Sequence, residues 1–164
     1  MKKIPLPTQE KRKNWCGPYA LAVIAGVDYD DAYDSCARYK NRLRRKRLGR
    51  LANRKPYKRK VGVIGFSNTA FETVSRRLRA PVTFERCQPM ALSRLADHLK
   101  PNSLYVVNVT RHYVVVDTHD WTVIDNQTKV WEPIAECKHR RKVCRNIGMV
   151  GRAATKRFKE KAPH

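Results

Sequence analysis

Cys16 and the residues that follow it have the types and spacing of a nucleophile at the start of a helix. An ordinary thiol has a pKa of about 8.5, so a cysteine nucleophile needs a helix N-terminus or a neighbouring imidazole to favour its thiolate. Cys16 opens an almost wholly apolar run in which Pro18 suits a first helical turn and Gly26 suits a helix end. The sequence therefore predicts a buried helix that begins at Cys16, whose thiol is a candidate nucleophile.

His112 is the candidate base for this thiol. It opens the strand-like run Tyr-Val-Val-Val, which places it at an edge or mouth of a sheet. An imidazole base also needs a partner on its other nitrogen, which fixes its tautomer and orientation. A hairpin that returns through Asp125 brings that carboxylate back to the level of His112. Asn126 is the alternative orienting residue. Because side chains alternate along a strand, only one of the two faces the histidine, and we favour Asp125.

The elements that must position these residues fall into two groups along the chain. Helices are expected first and an antiparallel sheet after them, which predicts an α+β fold. The predicted helices cover residues 16–26, 30–47, 67–78 and 90–99, and the predicted strands cover 82–87, 103–108, 112–117 and 121–125, with a further edge at 129–132.

Two parts of the sequence resemble papain-like cysteine peptidases. The segment 14–21, Asn-Trp-Cys-Gly-Pro-Tyr-Ala-Leu, resembles the nucleophile segment of that superfamily. The later part is most similar to the bacteriocin-processing peptidases of family C39 and their C39-like relatives, in which a histidine opens a valine-rich strand and an aspartate closes the next. The segments 112–116 and 123–125 follow that order, and 124–126 also resembles the bacterial transglutaminase-like cysteine proteinases. The resemblance covers roughly residues 9–133.

The resemblance implies a papain-like fold, with N-terminal helices packed on a C-terminal antiparallel sheet, and a peptidase that acts on a protein or peptide substrate. The implied chemistry is acyl transfer, with a thioester at Cys16, a leaving amine protonated by His112 and hydrolysis by water. The family also implies a glutamine upstream of the cysteine as an oxyanion donor, and Gln9 is the candidate, with Asn14 as the alternative. The same triad with an amine acceptor would make a transglutaminase or an amidase.

Basic residues dominate one long stretch of the chain. The formal net charge is +22 at pH 7, and residues 38–60 contain thirteen Lys or Arg and no acidic residue. Such a stretch is either a solvated face or a patch that binds polyanions in a salt-dependent way. The sequence therefore leaves open a second function class, a nucleic-acid-binding protein on a catalytically silent papain-like scaffold, with nucleic acid or an acidic protein surface as a partner. The polyanion-binding candidates are Arg42, Arg44, Arg45, Lys46, Arg47, Arg50, Arg54, Lys55, Lys58, Arg59 and Lys60.

The chain length of 164 residues suits a single domain. We expect a papain-like, C39-like domain over 1–137, with its basic segment at 38–60, and a basic C-terminal extension over 138–164. The sequence contains no run of about 18 apolar residues and no secretory signal at its start. We therefore expect no membrane insertion and a cytoplasmic location.

Five cysteines, an odd number scattered along the chain, predict reduced thiols rather than a disulfide framework. Cys137, His139 and Cys144 have the residue types of zinc ligands, but their spacing matches no closed four-ligand pattern. We therefore expect neither a metal nor an organic cofactor.

Overall fold

The structure is a computed structural model that describes residues 15–49 and 66–161. Within these ranges the fold is α+β, as predicted, with five α-helices, one 3-10 helix and a six-stranded sheet. The helices are α1 (Cys16–Ala25), α2 (Tyr29–Gly49), α3 (Asn68–Arg77), α4 (Leu92–Leu95), the 3-10 helix (Ala96–His98) and α5 (Arg152–Lys161). The strands are β1 (Val82–Ala91), β2 (Leu104–Val109), β3 (His112–Asp117), β4 (Thr122–Ile124), β5 (Glu132–Pro133) and β6 (Val143–Val150).

Local signals in the sequence determine both ends of α1 and the start of α3. α1 starts after the extended residue Trp15 and stops at Gly26, whose left-handed φ of 63° lets its N–H bond back to the last turn. The side chain of Ser67 caps α3 by accepting a hydrogen bond from the backbone N–H of Ala70 at 3.2 Å. No helix within 15–49 or 66–161 combines the length and the apolar character needed to cross a membrane.

The sheet has the strand order β1-β6-β2-β3-β4-β5, and all neighbouring strands are antiparallel. β2 and β3 form a tight hairpin in which Val109 pairs with His112, so β3 begins at the histidine. The connecting loop is completed by Arg111 at a left-handed φ of 63°. β3 then pairs with β4, with Val115 opposite Ile124, which brings the residue after β4 back towards the start of β3.

Both faces of the central strands are buried, which explains their nearly continuous valine sequence. Val106 and Val115 point into the core cluster that contains α1 and parts of α2, α3 and α5. Val107 and Val114 point into a second cluster on the other face, together with residues of α4 and the segment before β6. The first cluster therefore fixes α1, with Cys16 at its start, against the strand that begins at His112.

The basic segment predicted as a C-terminal extension instead supplies an interior strand of the sheet. β6 lies between β1 and β2 and pairs with both. Gly148 makes this position possible, because a Cβ there would lie 2.4 Å from Val82 and 2.9 Å from the ring of Phe84. α5 follows directly, and its Ala154 is buried in the same cluster as α1. Residues up to 161 are thus part of the α+β fold.

Candidate active site

Cys16 is the first residue of α1, and residues before, within and after this helix fix the backbone around it. Trp15, which precedes the helix, makes no side-chain cap, so α1 keeps its first N–H groups available. The backbone N–H of Trp15 instead donates to the hydroxyl of Tyr29 at 2.9 Å, which fixes the chain just before the cysteine. Gly17 allows Phe66 to pack close to the helix start, since a Cβ on Gly17 would lie 3.2 Å from its ring. The Trp15 side chain therefore does not occupy the N–H groups at the start of α1, next to the Cys16 thiol.

His112 and Cys16 are brought together by the packing of α1 on β3. The imidazole hydrogen-bonds to the Cys16 thiol, and the backbone N–H of Tyr113 also donates to the sulfur. The imidazole Nε2 lies 2.9 Å from Asp125 Oδ2, so its two nitrogens serve the two partners that a base requires. The His112 side chain is 11 % exposed, so the ring is mostly buried but still reaches the surface.

Asp125 follows β4 and is held by a turn of its own. Its Oδ1 accepts hydrogen bonds from the backbone N–H groups of Gln127 and Thr128 at 2.8 and 2.7 Å, and from the Thr128 hydroxyl at 2.9 Å. These bonds leave Oδ2 for His112. The carboxylate is 2 % exposed, so its orientation is fixed both by burial and by the turn.

The pKa shifts of Cys16, His112 and Asp125 all favour the same set of ionisation states. Burial raises the pKa of the Cys16 thiol, but hydrogen bonds from His112 and from the Tyr113 backbone outweigh burial and the net pKa is lowered. Burial lowers the pKa of His112, but its hydrogen bonds with Asp125 and Cys16 raise it to about 9. Burial raises the pKa of Asp125, yet hydrogen bonds from His112 and the Thr128 backbone hold it well below its usual range. The site therefore favours a thiolate, an imidazolium and a carboxylate.

His139 is a fourth member of the site that the sequence analysis did not place there. Its Nε2 lies 2.5 Å from Asp125 Oδ2, the same oxygen that bonds His112, and its ring lies 4.8 Å from the His112 ring. The side chain is 3 % exposed. Burial lowers the pKa of His139 more than Asp125 raises it, so the ring is neutral at pH 7. Because an ionised carboxylate only accepts, Nε2 carries the proton and donates to Asp125.

The other nitrogen of His139, Nδ1, is buried and has no hydrogen-bond partner among the residues that the structure describes. The sequence offered one signal for this residue, its place between Cys137 and Cys144 as a candidate zinc ligand. That cluster does not form, since both cysteines lie in the second core cluster while His139 faces Asp125. His139 sits in a turn before β6, and no periodic pattern marks a turn residue as part of a site.

His112, Asp125 and His139 also form a group whose potential metal-ligand atoms lie within 4.8 Å of one another. A zinc ion is bound by unprotonated imidazole nitrogens at about 2.0 to 2.1 Å. Here each Nε2 lies at hydrogen-bond distance from the carboxylate, at 2.9 and 2.5 Å. A metal at this position would therefore require both histidines to give up their N–H···O bonds with Asp125.

The remaining predicted site residues divide into two groups. Asn126, the alternative orienting residue, is buried next to Asp125, and the carboxylate is the group that contacts His112. Arg42, Arg45 and Lys46 are exposed on α2, which also carries Arg44 and Arg47. The predicted residues that lie outside the described ranges are Gln9, Asn14, Arg50, Arg54, Lys55, Lys58, Arg59 and Lys60.

No protein-family model, curated protein or solved structure matches this chain. The α+β architecture follows from the elements themselves. A relationship to papain-like peptidases rests on the sequence motifs and on the contacts among Cys16, His112 and Asp125, and the activity that it implies is a proposal.

Proposed function

We propose that this protein is a cysteine peptidase that cleaves peptide or isopeptide bonds, with Cys16 as nucleophile, His112 as base and acid, and Asp125 as the orienting carboxylate. One observation carries the proposal: a continuous hydrogen-bonded series runs from the thiol at a helix N-terminus through the imidazole to a buried carboxylate. A thiolate favoured by both a helix N-terminus and an imidazolium is the state that thiol hydrolysis requires.

The reaction follows from the charge state of these groups. The Cys16 thiolate attacks the substrate carbonyl, and the oxygen that becomes negative is stabilised by the backbone N–H at the start of α1. The His112 imidazolium then gives its proton to the departing amine as the C–N bond breaks, which leaves a thioester on Cys16. Water attacks the thioester while His112 accepts a proton from it, and collapse releases the carboxylic acid and restores the thiolate–imidazolium pair.

Asp125 accepts a hydrogen bond from Nε2–H of the imidazolium, and so orients the ring with its other N–H towards Cys16 and the departing amine. His139 supports Asp125 by donating to the oxygen that His112 also uses. The acyl acceptor distinguishes a peptidase from a transglutaminase or an amidase on the same residues. An amine that intercepts the thioester would give the transferase product, so we include an amine acceptor in the test.

The first experiment measures alkylation of each cysteine by iodoacetamide between pH 5 and 9, mapped by mass spectrometry. Cys87 is the internal reference, because it is partly exposed and its pKa is raised by burial. We expect Cys16 to react at or below neutral pH at least about 10-fold faster than Cys87. His112→Ala should abolish this difference. If Cys16 reacts no faster than Cys87 in the unaltered protein, the catalytic proposal is wrong.

The second experiment tests turnover with denatured protein and peptide-library substrates, in the presence and absence of a primary amine. We expect new N-termini in the products and their complete loss in Cys16→Ser. Transfer of the amine to the substrate in preference to hydrolysis would assign the transferase reaction instead. Turnover that survives Cys16→Ser would contradict both assignments.

A further inference from the structure

The C-terminal part of α2 leaves the core of the protein. Tyr29, Ala32 and Cys36 are each at most 1 % exposed and face the core cluster. Beyond Cys36 none of the helix side chains that the structure describes is buried, and Leu43 is 41 % exposed. The helix nevertheless continues to Gly49, which adds about 20 Å at 1.5 Å per residue. We call residues 38–49 the basic half of α2.

Charge is distributed very unevenly along this helix. All three acidic residues of α2 lie within its first six residues, whereas the basic half contains seven Lys or Arg and no acid. Several of these cations are four residues apart, such as Arg38 and Arg42, or Arg42 and Lys46. Like charges at this spacing destabilise a helix. A polyanion that binds the basic half would remove this repulsion, so the helix has a physical reason to bind one.

α3 adds a further cation to this surface. A shallow pocket of about 160 Å³ lies between the two helices. Its lining residues are Tyr39, Arg42, Leu43, Lys46, Thr73 and Arg77. The guanidinium of Arg77 lies over the Tyr39 ring, 5.8 Å from its centre. Three cations therefore surround an apolar floor, an arrangement that suits a phosphate attached to a less polar sugar.

We propose that the basic half of α2, together with Arg77, is a binding surface for double-stranded DNA, and that the helix lies in the major groove. The 100° turn per residue places Arg38, Arg42 and Arg45 along one side of the helix, and Lys46 lies next to Arg42 on the side that lines the pocket with Arg77. Cations spread over this arc suit a groove whose two walls carry phosphates. The major groove is about 12 Å wide, which matches the diameter of an α-helix.

A membrane surface fits these observations less well. A helix that binds an interface needs a broad apolar face opposite its charges. The basic half has two leucines and one tyrosine, and its cations are spread over a wide arc. Duplex RNA is also disfavoured, because its major groove is too deep and narrow for a helix to enter.

The test measures binding of a labelled 20-base-pair DNA duplex by fluorescence anisotropy over a series of salt concentrations. The variant is Arg42→Gln/Lys46→Gln/Arg77→Gln. We expect at least about a 10-fold loss of affinity, and a salt slope reduced by about 2 to 3, because each lost phosphate contact removes about 0.9 from the slope.

The matched control is Arg94→Gln/Arg141→Gln/Arg145→Gln, which removes the same three charges from exposed positions outside α2 and α3. We expect less than about a 3-fold loss with this control, since only long-range attraction changes. Equal losses in the two triple variants would overturn the proposal. So would competition by polyglutamate at equal charge, or equal affinity for duplex DNA and duplex RNA. The alkylation rate of Cys16 should be the same in all three proteins, so this test is independent of the proposed peptidase activity.

Discussion

Charged groups are arranged differently in the site around Asp125 and in the basic half of α2. At the site, groups of opposite sign alternate: the pKa shifts favour a thiolate at Cys16, an imidazolium at His112 and a carboxylate at Asp125, whose Oδ2 lies 2.9 Å from the imidazole Nε2. They are held by α1, by the start of β3 and by the turn after β4. The basic half of α2 contains seven Lys or Arg and no acid, and four of these cations, Arg38, Arg42, Arg45 and Lys46, are exposed.

The difference indicates where the partners of the charged groups lie in each region. Buried charges persist only when their partners are built into the fold, and Asp125 has its hydrogen-bond partners within the same chain. Exposed charges cost little to keep in water, so a run of a single sign can be retained for a partner outside the chain. Removal of a charge should therefore greatly reduce turnover at the site, and should hardly change the stability of the basic half of α2.

The largest effect is expected for Asp125→Asn. An amide has one oxygen where the carboxylate has two, so either the 125–128 turn or the imidazoles lose their acceptor. His112 also loses the charge that raises its pKa. We expect turnover to fall by about 10³- to 10⁴-fold, because an Asp→Asn change in a Ser-His-Asp triad lowers kcat by about 10⁴-fold. The control Asp97→Asn, at an exposed position on the 3-10 helix, should leave turnover unchanged. A loss below about 10-fold would show that Asp125 does not orient the base.

A smaller effect is expected at His139, where two substitutions separate its hydrogen bond from its packing. His139→Met keeps a similar volume without an N–H donor, whereas His139→Gln retains a donor that can reach Asp125. We expect kcat to fall by about 10- to 100-fold in the methionine variant with little change in KM, and to recover largely in the glutamine variant. Equal activity in the two variants would mean that His139 only fills space.

The sequence predicted those parts of the fold and the site that depend on local signals. The apolar run after Cys16, the Ser67 cap and the valine-rich hairpin each specify an element from neighbouring residues alone. The contact between His112 and Asp125 follows from one such hairpin, because the register of two short strands fixes which residues lie side by side.

The sequence failed where the structure depends on distant partners. β6 carries Arg145 and Asn146 and alternates poorly, and it is a strand because β1 and β2 pair with it on both sides. A glycine in a strand interior weakens the local signal for a strand, whereas in the fold the missing side chain of Gly148 makes room for Phe84 from β1. His139 is placed by the turn that leads into this strand, so overlooking β6 also meant overlooking His139.

The pH dependence of the free energy of unfolding tests the pairing of Cys16 with His112. The pKa of His112 rises from 6.5 to about 9 on folding, so its stabilisation is present below pH 6.5 and is lost as the pH rises through 9. The pKa of Cys16 is lowered from 9.0, so its stabilisation is present above pH 9 and is lost as the pH falls. Between pH 6.5 and 9 the two dependences have opposite signs and oppose each other.

Cys16→Ala should therefore expose the dependence on His112. In this variant the pKa of His112 lies below 9, because the contribution of Cys16 is lost while that of Asp125 remains. We expect its free energy of unfolding, measured in urea, to fall by about 1 to 2 kcal/mol more than that of the unaltered protein as the pH rises from 6.5 through this lower pKa. The buried thiols of Cys36 and Cys144, whose pKa values burial raises to about 12, affect both proteins equally. Adding His112→Gln to Cys16→Ala should remove this extra loss of stability. If the free energies of unfolding of the unaltered protein and of Cys16→Ala change with pH in parallel, a coupled thiolate–imidazolium pair is contradicted.

The smallest effect, and the one of opposite sign, is expected for Arg42→Glu on the basic half of α2. The new carboxylate lies four residues from Arg38 and four from Lys46, so two repulsive pairs become attractive ones. We expect the free energy of unfolding to increase by about 0.5 kcal/mol at low salt, and Arg42→Gln to give about half of that gain. At 1 M salt the gain should vanish, because charges are then screened over about 3 Å. A loss of stability at low salt would mean that the cations of this helix already have favourable partners within the folded chain. The helix would then have no unrelieved repulsion that a bound polyanion could remove.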